Sequence, residues 1–368
     1  MQSRQISFFA LMVVGAVTSN VAVPQGQHAD TQKTRASPSS SSRSVIEEGF
    51  VPIGGIAQWV SIRGKDPAAP VLLIVHGGPG AAWSGFEVPQ FASWEEKFTL
   101  VLWDQRGAGR TYGRHGPVGE NVTIDRMAQD GIEVAQYICQ RLNKKRVMLV
   151  GVSWGSVVGI HMAKARPELF DAYVGLGQVV NWRKNETLAY QQVLSKARRA
   201  RDSAAIESLE KIGPPPYTNL RSLGIRSNLA AHFEPGAPDG PQIMKMPFSA
   251  PGYTKGDAQN WLDGLDSSQE HFFGARMDGP FANEDLVALG RDFRLPIFVL
   301  QGTEDDIAPA SLVKAYVDSL VAPRTEYVPI ECAGHYAFIT RDQFFKVANC
   351  NLKDQKRNLR NQFFKSVG

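Results

Sequence analysis

The segment Val147-Met148-Leu149-Val150-Gly151-Val152-Ser153-Trp154-Gly155-Ser156 constrains this chain more than any other. Residues 147–152 form a short, continuous apolar run, the pattern of a parallel strand buried on both faces. A helical pattern, residues 156–166, begins directly behind it. Between the two stands Gly-x-Ser-x-Gly. By itself that motif is a modest signal. In a strand-to-helix context it describes a sharp turn that holds its serine in strained geometry, which small neighbours tolerate. The helix start adds backbone N–H groups and a positive dipole end beneath the hydroxyl.

The rest of the chain repeats strand-then-helix. Candidate strands cover residues 56–62, 71–75, 99–103, 147–152, 172–176, 297–300 and 325–330, and helical stretches cover 124–142, 156–166 and 310–320. Such alternation predicts a mostly parallel sheet with helices on both faces. Pro329 suits an edge strand or a strand end. The alternation stops between residues 180 and 290, where helical stretches (186–200, 203–211) are separated by Gly/Pro-rich turns at 213–216 and 236–241. A long insertion between two sheet strands reads as a lid. The expected organisation is a core from residues 46–179 and 291–368 with a lid at 180–290.

Residues 1–22 look like a secretory signal peptide: Arg4, an apolar stretch at 6–17, then small residues at Ser19 and Ala22. The stretch is short of the roughly 20 residues a membrane span needs. No lipobox cysteine follows it. Residues 23–45 carry a run of serines, Ser39 to Ser42, and read as a flexible tether. The expected location is secreted or periplasmic, without stable membrane association after cleavage.

The charge balance, 40 basic against 36 acidic residues, is nearly even and spread along the chain. Its densest basic stretch, 353–360, reads as a solvated helix or tail, so no nucleic-acid partner is expected. Cys332 and Cys350 could pair in an oxidising compartment, and Cys139 sits mid-helix. Nothing resembles a disulfide framework, so free thiols are expected. No Cys/His spacing suggests a metal, and no cofactor is expected.

Four further segments carry chemistry. His76-Gly77-Gly78-Pro79-Gly80 follows the strand at 71–75 and turns backbone N–H groups toward the space above the sheet. One of these and the N–H of Trp154 would form an oxyanion hole. Trp103-Asp104-Gln105-Arg106-Gly107-Ala108-Gly109 ends the next strand, and its Asp and Arg read as a pair bracing loops. Gly302-Thr303-Glu304-Asp305-Asp306-Ile307-Ala308-Pro309 follows a late strand and offers three carboxylates. Asp305, three residues beyond Gly302, is the expected acid, with Glu304 and Asp306 facing solvent or guarding the loop. Glu331-Cys332-Ala333-Gly334-His335-Tyr336 follows the last strand. Of seven histidines, only His335 follows the serine and the aspartate on such a loop; His161 belongs to the helix behind Ser153, and His232 and His271 to the lid. Ser153, Asp305 and His335 thus stand in the chain order of a Ser-Asp-His triad.

Together these motifs resemble the proline iminopeptidase family of α/β-hydrolases. The resemblance is strong over residues 71–156 and extends by pattern and order to 302–309 and to Gly334-His335. It implies an α/β-hydrolase fold with a helical lid between late strands. Ser153, Asp305 and His335 would be the catalytic triad, with Gly78 and Trp154 as oxyanion donors. It further implies removal of an N-terminal residue from a small peptide, the free amine being held by acidic lid residues. The nearest match to the family's tryptophan-and-glutamate lid motif is Asn181-Trp182-Arg183-Lys184-Asn185-Glu186. Glu186 is therefore the candidate amine ligand, beside its plain reading as a helix-start glutamate. Two alternatives differ in kind: an esterase or amidase acting on small non-peptide substrates, and a non-catalytic binding protein on the same fold. The second can lose triad members, and none is missing here.

Overall fold

The computed structural model describes residues 44–86, 92, 94–235, 237 and 240–336. The signal-peptide expectation, nearly all of the tether, Cys350 and the basic stretch 353–360 lie outside the described residues.

Eight strands, β1 (Val45–Ile53), β2 (Ile56–Gly64), β3 (Val71–Val75), β4 (Thr99–Asp104), β5 (Val147–Val152), β6 (Phe170–Leu176), β7 (Ile297–Gly302) and β8 (Thr325–Ile330), form one sheet. Their order is β1-β2-β4-β3-β5-β6-β7-β8. β1 and β2 pair antiparallel, as do β2 and β4; every pair from β4 to β8 is parallel. β1 was not expected. It is an edge strand whose residues alternate between half-buried and exposed, so it lacks the continuous apolar run that marks the inner strands. Pro329 sits in β8, the opposite edge, where a missing N–H costs no ladder bond.

The helices of the core are α1 (Gly109–His115), α2 (Ile124–Arg141) and α3 (Trp154–Ala165). Alternate residues of the inner strands serve opposite faces of the sheet. Leu73, Val75, Val101, Trp103 and Leu149 pack with Ile132 and Ile138 of α2 and Val157 and Ile160 of α3. Leu72, Ile74, Leu100, Leu102 and Val150 pack on the other side. Thr123 caps α2 by accepting the Arg126 N–H.

Between β6 and β7 the chain runs through α4 (Trp182–Ala200), α5 (Ser203–Ile212), α6 (Leu220–Phe233), α7 (Gly240–Ser249) and α8 (Lys255–Phe273). Helices α4 to α6 share an apolar cluster of their own, built on Tyr190, Val193, Leu209 and Ala230. Helix α8, started by a Thr254/Asp257 capping box, lies instead on the sheet side, where Trp261 and Leu265 join the second core face. It is fastened to the loops after β3 and β4: Trp261 Nε1 donates to Ala82 O at 2.7 Å and Ser268 Oγ to Gly107 O at 2.9 Å. A further helix, α9 (Ala310–Asp318), leads to β8.

Cys332 is disulfide-bonded, which overturns the expectation of a free thiol there; Cys139 is free.

Candidate active site

β5 runs straight into α3, and Ser153 occupies the single residue between them with φ 50° and ψ −117°. A non-glycine residue in that region stores roughly 1–3 kcal/mol of strain. The turn closes because Gly155 has no side chain: a Cβ there would sit 2.0 Å from Val75 O. The first residue of α3, Trp154, has no i−4 acceptor for its N–H, which is thereby left for another partner.

The loops after β7 and β8 bring two more groups to the serine. His335 Nε2 lies 3.0 Å from Ser153 Oγ, and His335 Nδ1 lies 2.8 Å from Asp305 Oδ2. Both His335 and Asp305 are buried. Asp305 Oδ1 accepts the N–H groups of Ile307 and Ala308, at 2.9 and 2.6 Å, and Oδ2 also accepts from Gln301 Nε2 at 2.7 Å. The neighbouring acids point elsewhere. Lys196 of α4 takes Asp306 Oδ2 at 2.6 Å and Glu304 Oε2 at 3.1 Å. Burial raises the Asp306 carboxyl above its ordinary range, against the pull of Lys196.

The turn after β3 reaches the same place. A Cβ on Gly77 would lie 3.3 Å from Ser153 Cβ, which puts the backbone leading into Gly78 beside Ser153. The turn is bolted to α3 by a residue not singled out in the sequence. Gln105 Nε2 donates to His76 O at 3.0 Å, while Gln105 Oε1 accepts from Trp154 Nε1 at 2.9 Å. His76 Nδ1 lies 2.8 Å from Gly77 O, and His76 Nε2 faces the Gln105 N–H at 3.3 Å. These partners call for a neutral, Nδ1-protonated ring. Burial favours that form, lowering the His76 pKa to about 4.

Asp104 and Arg106 do brace loops, but not each other. Arg106 donates from Nε to Asp130 Oδ2 at 2.9 Å and from Nη2 to Gly54 O at 2.8 Å. Asp104 Oδ2 accepts from Ser84 Oγ at 3.0 Å and from the Arg110 N–H at 2.9 Å. Of the other histidines, His161 lies between Asp125 and Glu284, His271 contacts Val122 O, and His232 is exposed on α6.

Glu186 is not placed as expected. It is buried within α4 and paired with Arg226 of α6, so both of its oxygens are taken between those two helices. A carboxylate of the segment between β6 and β7, Glu234 just beyond α6, meets the loop that carries His335. Its Oε1 accepts the Tyr336 N–H at 3.0 Å. A Cβ on Gly334 would fall 1.9 Å from that same oxygen, so the glycine before His335 is what lets Glu234 lie on the loop. Burial, and then the charge of Asp305, raise the Glu234 carboxyl well above its ordinary range. Its Oε2 is buried with no hydrogen-bond partner among the described residues. In the sequence Glu234 is one more acid before a proline, with no period or motif to mark it.

A family model described as alpha/beta hydrolase fold matches residues 70–342. The chain is 28% identical over 312 residues to a probable aminopeptidase, YbaC, of Bacillus subtilis (strain 168), covering 84% of this chain and 96% of that protein. It is 22% identical over 303 residues to a proline iminopeptidase of Lactobacillus delbrueckii subsp. bulgaricus, covering 80% and 93%. Among solved structures, a proline iminopeptidase-related protein from Thermus thermophilus superposes with a TM-score of 0.53 at 19% identity, covering 84% of this chain and 97% of that one. The proline iminopeptidase of Mycobacterium smegmatis gives 0.54 at 18%, covering 85% and 100%. At such identities these two structures speak for the fold.

Proposed function

The chain belongs to the alpha/beta hydrolase fold family, and on that footing we propose that it is a serine hydrolase working through an acyl-enzyme to release the N-terminal residue of small peptides. The observation that carries this reading is the hydrogen-bonded line from Ser153 Oγ through His335 to Asp305. His335 takes the serine proton as the hydroxyl attacks the scissile carbonyl, and returns it to the leaving amine. Asp305 holds the imidazole tautomer and stabilises the imidazolium. The N–H groups of Gly78 and Trp154 receive the developing oxyanion. Water, activated by His335, then cleaves the acyl-enzyme.

The aminopeptidase part of the proposal is supported by the names of the similar proteins and by an acidic group beside the triad. That group is Glu234, in place of Glu186. An arriving substrate ammonium would give Glu234 Oε2, which has no hydrogen-bond partner among the described residues, a donor beside the pull of Lys196. Export of the chain, with residues 1–22 as signal, belongs to the same proposal.

A second reading, hydrolysis of small neutral esters or amides, is favoured by one observation: burial keeps the Glu234 carboxyl protonated more readily than usual. A panel of aminoacyl-naphthylamides, proline included, set against short acyl esters separates the two. The aminopeptidase reading expects naphthylamine release that requires a free α-amine. Turnover of esters and N-blocked amides alone would contradict it.

A further inference from the structure

A buried polar chain runs behind the Ser153–His335–Asp305 line. Gln301, the penultimate residue of β7, is fully buried. Its Nε2 donates to Asp305 Oδ2 and to Ala308 O, both at 2.7 Å. Its Oε1 accepts the Gln178 N–H at 3.0 Å, just beyond β6. Gln178 continues the chain: its Nε2 donates to Ser156 Oγ at 3.0 Å, and Ser156 Oγ donates to Ser153 O at 2.5 Å. Tyr173 OH donates to Gln178 Oε1 at 2.7 Å. Gln178 and Ser156 are as deeply buried as Gln301.

Packing does not explain a carboxamide at this place. Val299 and Leu300 fill their positions in the same strand with hydrocarbon, and a buried amide is costly unless every polar atom is matched. Here the matched atoms lead to the site. Asp305 Oδ2 serves two donors at once, His335 Nδ1 and Gln301 Nε2. A carboxamide cannot lose a proton to a carboxylate. As a donor to Oδ2 it draws off part of the negative charge that would otherwise fall on the imidazole.

We infer that Gln301 is a positioning residue: through Asp305 it sets the basicity and orientation of His335, and through Gln178 and Ser156 it ties that acid to the backbone of the nucleophile. This rests on the serine-hydrolase reading. Gln301 touches no substrate atom, so its role must show in how the triad titrates.

The test is the rate at which an alkyl fluorophosphonate labels Ser153 as a function of pH, in the full chain and two variants. In the wild type the rate should rise with the titration of His335 and then level. Gln301→Met, which keeps the volume and loses the donor, should label about tenfold to a hundredfold more slowly on the plateau, because Asp305 no longer fixes the orientation of the imidazole. Its midpoint should move to higher pH, because the whole carboxylate charge now acts on the imidazolium. Gln301→Glu keeps the shape and the acceptor for Gln178, but must hold a proton to face Asp305. Above the pH at which that proton leaves, two carboxylates meet, and the rate should fall along an alkaline limb absent from the wild type. Should the methionine variant fail to fold, the glutamate variant decides. An unmoved midpoint in Gln301→Met with only a uniform loss of rate and of melting temperature, or no alkaline limb in Gln301→Glu, would overturn the inference. Failure of the wild type to label at Ser153 would instead overturn the serine-hydrolase reading, and this inference with it.

Discussion

Arg226 Nε donates to Glu186 Oε2 at 3.0 Å, and its Nη2 reaches the other oxygen, so the two side chains face each other across α4 and α6 with no exposed surface to speak of. Removing one partner of such a pair leaves the other charge buried alone, which typically costs ~3–5 kcal/mol. Glu186→Gln should therefore lower the urea midpoint and the melting temperature. The ratio of kcat/KM on aminoacyl amides to that on neutral esters should stay constant. A stable variant with a raised KM for aminoacyl amides would restore Glu186 as the amine ligand.

Glu234→Gln should do the reverse. It keeps an acceptor for the Tyr336 N–H and removes the ionisable group. If Glu234 holds the substrate amine, KM for aminoacyl amides should rise by the equivalent of ~2 kcal/mol or more while esters are spared. The pH dependence has a definite sign. Burial and the charge of Asp305 raise the Glu234 carboxyl, so it gains its charge at higher pH than an ordinary glutamate does. KM for aminoacyl amides in the wild type should fall as pH climbs through that ionisation, and the fall should vanish in the variant. Identical profiles for the two proteins would remove Glu234 from the amine site.

Asp305 and Asp306 give a contrast of adjacent residues. Asp305→Asn should lower kcat on the order of 10⁴-fold, because an amide facing His335 Nδ1 favours the wrong tautomer. Asp306→Asn loosens a tie to Lys196 and should leave most of kcat in place. Steady-state kinetics of both variants at one pH is sufficient. A crippling effect at Asp306 would mean that the acid had been assigned one residue early.

Asp104 predicts a pH effect on stability. Burial pushes its carboxyl up to about 6, against the opposing hydrogen bonds of the Arg110 N–H and Ser84. The native state thus holds this proton more tightly than the unfolded chain, whose Asp titrates near 3.9. The resulting stabilisation is fully present below the unfolded pKa and is lost as pH rises through about 6. Asp104→Asn removes that dependence. Between pH 4 and pH 7 the stability of the variant relative to the wild type should improve by up to ~3 kcal/mol. Urea unfolding of both proteins at the two pH values measures it; parallel profiles would contradict the assignment.

The inner sheet was legible because a strand buried on both faces must be apolar throughout. β3 and β5 fall at the expected residues. β1 was not, since an edge strand with Gly49 and Pro52 and alternating exposure has no such run. Ser153, Asp305 and His335 were legible because each sits on a turn directly after a strand, a local pattern. Gln105 and Glu234 were not, because their partners come from other loops, and Gln301 was not, because a glutamine at a strand end carries no motif. Glu234 meets Tyr336 across 102 residues, a contact that only the folded chain creates. Glu186 was misjudged for a related reason. A glutamate near a helix start looks the same whether it faces solvent, substrate or a buried arginine forty residues on.

The central claim is that Ser153 is the nucleophile of an acyl-transfer site, and covalent labelling tests it most directly. The full chain is treated with a fluorophosphonate probe, digested, and the modified residue located by mass spectrometry, with Ser153→Ala alongside. The account predicts stoichiometric label on Ser153 and none on the variant. It also predicts a fall in kcat on the order of 10⁶-fold in a variant that melts as the wild type does. A chain that takes no label, or a Ser153→Ala variant that keeps more than a few per cent of turnover, would contradict it.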